Sequence, residues 1–208
     1  MMRQLRWGVL VGSACLLLLA PVASGSNSSA FSDPAGDSAD APDITSVAVS
    51  NNDAGQITFK ISIPNRAALG DPDLVSVLVD ADGKSSTGCA RGTFGAEYAL
   101  DVLAARYVFG RCAHDEWDFT RPPASFSGSF GGSTLTLSVN RRDLGVPTSF
   151  KFRVGSAGTS THEASYDFAP NIGVVPWTYR VIAPPQAVKK PPKRHLRRAR
   201  KPARIRHR

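Results

Sequence analysis

The sequence predicts an all-β fold, a single antiparallel β-sandwich of jelly-roll type with about nine or ten strands and a disordered basic C-terminal tail. Three observations carry this. From Asp43 onward, short runs of Val, Ile, Phe, Thr and Tyr alternate with polar residues at period two. Clusters of Gly, Pro, Asn and Asp separate the runs at close spacing. No stretch keeps a helical period, and 15 Pro with 18 Gly among 208 residues argue against a helical bundle.

Strands are expected near 43–50, 56–63, 74–80, 94–103, 105–111, 116–119, 124–130, 133–139, 149–155 and 177–182. Asn51-Asn52-Asp53-Ala54-Gly55 supplies the turn between the first pair, and Gly131-Gly132 serves another. Asn140 to Gly145 reads as one helical turn ended by Gly145. If consecutive strands run antiparallel, the loop Asp80-Ala81-Asp82-Gly83, the Asn51 turn and the segment His114 to Asp118 share one end of the sandwich. By the same count the acidic segment Asp33 to Asp43 and the loop Asp71-Pro72-Asp73 fall at the other end.

The flanks differ from the body. Arg3 and Arg6 precede an apolar run from Trp7 to Leu19, and Ala20 to Gly25 offers small residues for cleavage, so 1–25 reads as a secretory signal peptide. The run is shorter than the ~20 residues of a membrane-spanning helix, so no transmembrane segment is expected after processing. Residues 26–42 read as a flexible Ser-rich and acidic lead-in, 43–183 as the sandwich and 184–208 as the tail. Export predicts that the two remaining cysteines, Cys89 and Cys112, form a disulfide. Localisation is expected to be extracellular or at the cell envelope.

The formal charge of +8 is the sum of +2 over residues 1–25, −5 over 26–188 and +11 over 189–208. The last block contains Lys189, Lys190, Lys193, Arg194, Arg197, Arg198, Arg200, Lys201, Arg204, Arg206 and Arg208 with no acidic residue. Such a block is too polar and proline-rich to fold and attaches to polyanions. Outside the cell these are an anionic envelope polymer or lipid surface, with a merely solubilising tail as the plainer reading.

Several stretches together resemble small secreted bacterial β-sandwiches related to the DOMON and family 9 carbohydrate-binding-module domains. They are Asp33-Pro34-Ala35-Gly36-Asp37 followed by Pro42-Asp43-Ile44-Thr45, then Val79 to Gly83 running into Thr87-Gly88, Gly95 to Leu100, and Asp167 to Gly173. The resemblance spans about residues 31–182. It implies a jelly-roll-like sandwich, a structural Ca²⁺ in many members and a sugar or haem site in some, and no one function.

Asp80 and Asp82, with nearby loop carbonyls, offer hard oxygen ligands for a structural Ca²⁺. Lys84 and Arg91 occupy positions where an EF-hand places ligands, so a polar Asp-Gly turn is the competing reading. Asp33 and Asp37 are either metal ligands or part of a solvated acidic segment. No haem is expected: both methionines lie in the signal, and His114 and His162 are assigned to opposite ends. Trp117 between Glu116 and Asp118 is the candidate sugar platform, with a core role as the alternative. No nucleophile elbow, dinucleotide fingerprint, phosphate loop or zinc-protease motif is present. Glu97 and Asp101, four residues apart on a strand, stand ~13 Å from each other, too far for a glycosidase pair. The sequence therefore predicts a non-catalytic binding or adhesion module, with carbohydrate as a partner. A hydrolase or lyase acting on extracellular polymers is the alternative.

Overall fold

A computed structural model describes residues 27–89, 94–146, 148–159 and 164–182. The expected signal peptide, the basic tail and His162 lie outside the described residues. The strands are β1 (Asn27–Ser32), β2 (Ser46–Asn51), β3 (Gln56–Ser62), β4 (Leu74–Asp80), β5 (Tyr98–Leu103) and β6 (Arg106–Ala113). They continue as β7 (Glu116–Asp118), β8 (Ser127–Gly131), β9 (Thr134–Asn140), β10 (Ser149–Thr159), β11 (Ala164–Ala169) and β12 (Trp177–Arg180). One sheet has the order β1-β2-β3-β9-β8; the other runs β11-β10-β4-β5-β6-β7, with β12 extending the β10 edge. All pairings are antiparallel. The expected all-β sandwich is therefore what the chain forms.

Alternation sets the two faces. Val47, Val49, Ile57, Phe59, Ile61, Leu135, Leu137 and Val139 point inward from the five-stranded sheet and are buried. Val75, Val77, Val79, Leu100, Val102, Phe109, Phe150, Phe152 and Val154 answer from the seven-stranded sheet. The sandwich closes around them as a single core.

Two strands depart from the expectation. The flexible lead-in proposed for 26–42 instead begins with β1, which pairs with β2 from Asn27↔Asn51 to Ser32↔Ser46. Its polar composition hides it, but Phe31 enters the core edge with ring centroids 5.1 Å from both Phe152 and Trp177. Asn27 also donates to the carbonyl of Arg180 at 2.7 Å. The other addition is β11, whose alternation of Tyr166 and Phe168 with Ser165 and Asp167 is short and interrupted by a buried charge.

The register confirms which loops share an end. Val79 faces Tyr98, Tyr98 faces Arg111 and Arg111 faces Asp118, so the Asp80–Asp82 loop and Trp117 lie at one end. Ser149 faces Arg180, and Tyr179 donates to Asn51 Oδ1 at 2.9 Å, placing the Asn51 turn there too. Asp33 and the Asp71-Pro72-Asp73 loop lie at the opposite end.

Candidate functional site

The outward face of the seven-stranded sheet carries an arrangement that only the strand register reveals. Since Val75, Val77 and Val79 point inward, Ser76 and Leu78 point out. Across the sheet they are matched by Asp101 and Ala99 on β5, Val108 and Gly110 on β6, and Gly155 and Arg153 on β10. Half of this floor is Gly, Ala or Ser. At one margin Tyr166 and Phe168 of β11 stack with centroids 6.5 Å apart and planes 16° apart, and Tyr166 is 58% exposed. At the other, Trp117 and Phe119 lie 6.3 Å apart and 34° inclined, with Phe119 also exposed. Five strand spacings separate β11 from β7, about 24 Å.

Two glycines shape these margins. A Cβ on Gly110 would meet the Phe119 ring at 2.6 Å, and one on Gly155 would meet the Phe168 ring at 3.2 Å. Each ring thus lies down over a strand with no side chain beneath it. The result is two flat aromatic margins facing solvent.

Trp117 stands opposite Cys112 and shares its outward face; it is half-buried. It thus lies outside the inter-sheet core. Glu116 and Asp118 flank it and are exposed. The Asp118 carboxylate accepts from the Thr120 hydroxyl at 2.6 Å and amide at 2.9 Å, which hold its pKa below the ordinary range. In mid-face, Asp101 accepts from the Ser76 hydroxyl at 2.5 Å, and burial raises its pKa to about 6 against that bond. The sequence brings up Asp101 only as a possible partner of Glu97 and does not single out Ser76; a polar residue at even spacing from buried valines is the available signal.

The Asp80–Asp82 loop forms a tight acidic knot. Asp80, Asp82 and Glu97 bring one carboxylate oxygen each within 4.8 Å of the others. The protein itself supplies donors to all three. Asp80 accepts from the Gly83 amide at 2.6 Å, Asp82 from the Lys84 amide at 2.9 Å and Glu97 from the Ala81 amide at 2.8 Å, while the one Thr87 hydroxyl proton is shared between Asp82 at 3.0 Å and Glu97 at 2.9 Å. Lys84 adds an ion pair to Asp82 at 3.9 Å. Burial raises the pKa of Asp80 and Glu97, with these amide bonds opposing it. A cleft of about 460 Å³ adjoins the knot, with Asp82, Lys151 and Thr178 among its walls. The Cys89–Cys112 disulfide, with Cα atoms 5.5 Å apart, ties the loop to β6 as expected.

The opposite end holds a second group, Asp33, Asp37 and Asp167, again with oxygens within 4.8 Å. Asp43 is beside them but satisfied: its carboxylate accepts from the Gly36 amide and the Ser38 hydroxyl. Asp167 is 3% exposed and accepts from the Ile44 amide at 2.7 Å, while burial raises its pKa. Asp33 differs. Its Oδ2 is buried with no hydrogen-bond partner among the described residues, and burial together with Asp167, Asp37 and Asp43 pushes its pKa up to about 6. An orphaned carboxylate oxygen among other carboxylates is costly unless a cation or proton joins it. These residues therefore fit an oxygen-seeking cation better than Asp80 and Asp82 do. Asp167 escaped the sequence reading of this site because it is contributed by β11, more than 120 residues away.

His114, with φ of 53°, occupies the exposed β6–β7 turn. No helix among the described residues is long and apolar enough to cross a membrane. Neither a family model, nor a curated protein, nor a solved structure matches this chain.

Proposed function

We propose that this protein is a secreted, non-catalytic binding module of the cell envelope that lays a carbohydrate chain across the outward face of its seven-stranded sheet. The pair of aromatic margins, Tyr166 with Phe168 and Trp117 with Phe119, carries this reading. Flat apolar rings stack on the C–H faces of sugars, while polar groups between them read hydroxyls. Ser76 and Asp101 supply those polar groups in mid-face, and the small residues around them leave the approach open. The module reading is favoured over hydrolysis because Asp101 has no second carboxylate among the described residues of its part of the face. A glycosidase needs two carboxylates at about 5–9.5 Å.

The same proposal gives the chain a structural Ca²⁺ at Asp33, Asp37 and Asp167. A divalent cation there would satisfy Asp33 Oδ2 and relieve three mutually repelling carboxylates. The Asp80–Asp82 knot is the weaker candidate, being already filled with internal donors. The eleven cations of residues 189–208 would add attachment to anionic surfaces, weakened by salt.

A glycan array probed with the exported protein, in calcium and in chelator, tests the reading. Wild type should retain a restricted set of glycans, and Trp117→Ala or Tyr166→Ala should weaken that retention about tenfold or more with the melting temperature unchanged. Calcium should raise the melting temperature by linkage, and Asp33→Asn should remove that response. Glycan retention equal in wild type and both aromatic variants would refute the face, and a melting curve indifferent to calcium would refute the metal.

A further inference from the structure

Between β11 and β12 the segment from Pro170 to Pro176 leaves the sheet edge and displays three aliphatic side chains to solvent. Ile172 is 62% exposed, Val174 53% and Val175 77%. The loop is fixed from beneath. Arg153, only 3% exposed, donates from Nη2 to the Val174 carbonyl at 2.6 Å. Asn171 donates to Asp37 at 3.2 Å, and the Val174 amide closes the turn on the Asn171 carbonyl at 3.0 Å. Among the described residues no carboxylate pairs with Arg153, and its Nε has no partner. A guanidinium buried without a counter-charge is an expensive strut. Its bond to the Val174 carbonyl pins the turn in which Val174 and Val175 are exposed.

We propose that Ile172, Val174 and Val175 enter the acyl region of an anionic lipid bilayer and anchor the module there. This rests on the reading that the basic tail seeks anionic surfaces. Aliphatic side chains without hydroxyls, amides or flat rings suit hydrocarbon and offer a sugar nothing to stack on or hydrogen-bond. A second protein is a poorer fit, because one turn with three side chains falls far short of the ~800 Å² per partner that a stable interface buries. A bilayer needs only a few inserted side chains when cations add their attraction. The chain carries eleven of those cations within its last twenty residues. Arg153 lies under the loop and Asp37 beside it, so the attraction to an anionic surface comes from the cations of the tail.

The test uses the exported full-length chain with vesicles of phosphatidylcholine containing phosphatidylglycerol, at low and high salt. Sedimentation reports binding; each chain is also made with Ile172→Trp, and quenching by brominated lipid of the emission this adds reports insertion, because Trp177 itself packs on Phe31 and Phe152. Wild type should pellet in part even at high salt, with quenched emission. The Val174→Asp/Val175→Asp variant should lose about tenfold or more in partition and lose the quenching, with its melting temperature unchanged. Val175→Ala should fall between the two. Equal, salt-sensitive pelleting of wild type and variant without quenching would overturn the loop and leave the tail reading standing. Absence of pelleting in both would overturn both. Self-association of wild type, lost in the variant with no vesicle dependence, would make the loop a contact between copies and overturn its lipid role.

Discussion

Replacing Cys89 and Cys112 together by Ser is expected to lower stability by about 3–4 kcal/mol, from the loop-closure entropy that the bridge removes from the unfolded chain. The bond spans 23 positions and joins the β4–β5 loop to β6. The hydrogen bonds of Asp80, Asp82 and Glu97 hold the loop's first half, and the bridge fastens its limb at Cys89. Cys89 and Ala96 exchange backbone hydrogen bonds at 2.8 and 3.0 Å, and Gly88, at φ of 72°, permits a close approach in which a Cβ would meet the Ala96 carbonyl oxygen at 2.3 Å. Because Cys112 also stands opposite Trp117, the loss should reach one aromatic margin of the proposed glycan face. Urea denaturation of the double variant measures the cost. A free energy of unfolding within a few tenths of wild type would show that the loop needs no covalent support.

Phe152→Ala should cost about 3–5 kcal/mol, the range for emptying a large aromatic side chain from a packed core. Phe152 is fully buried on β10 and touches four rings: Phe31 at 5.1 Å, Phe59 at 5.5 Å, Trp177 at 5.6 Å and Phe150 at 6.0 Å between centroids. Through them it joins both sheets and fastens β1 and β12, the first and last described strands. Amide exchange should therefore accelerate first in β1, where Phe31 is the principal inward aromatic. A loss under about 1 kcal/mol would mean that neighbouring rings collapse into the space.

Legibility in the sequence followed the strength of the period. Strands such as β3, β4 and β9, with buried Ile, Val and Leu at every second position, were readable because one face is wholly apolar. Export chemistry likewise pointed to Cys89 and Cys112. In contrast, β1 offers one aromatic among Ser and Asn, and its stability comes from Phe31 packing on residues far along the chain. The Asp33 group illustrates the same limit for sites. Asp33 and Asp37 were visible as neighbours, but Asp167, which completes the group, arrives through the pairing of β11 with β10. Asp80 and Asp82 stood out by local spacing, which cannot tell that the Gly83, Lys84 and Ala81 amides would occupy the carboxylates of their loop. Trp117 was visible as an aromatic between acids; its counterpart Tyr166 became a candidate only once the register put both on one face.

The most direct test of carbohydrate binding on that face is calorimetry with oligomers of increasing length drawn from the best-retained glycan. Affinity should climb until the oligomer spans the ~24 Å between the Trp117 and Tyr166 margins and then level off, and Tyr166→Ala should abolish the gain for long oligomers while sparing short ones. A shortest oligomer that binds as tightly as the longest, with Tyr166→Ala indistinguishable from wild type, would contradict binding across the sheet.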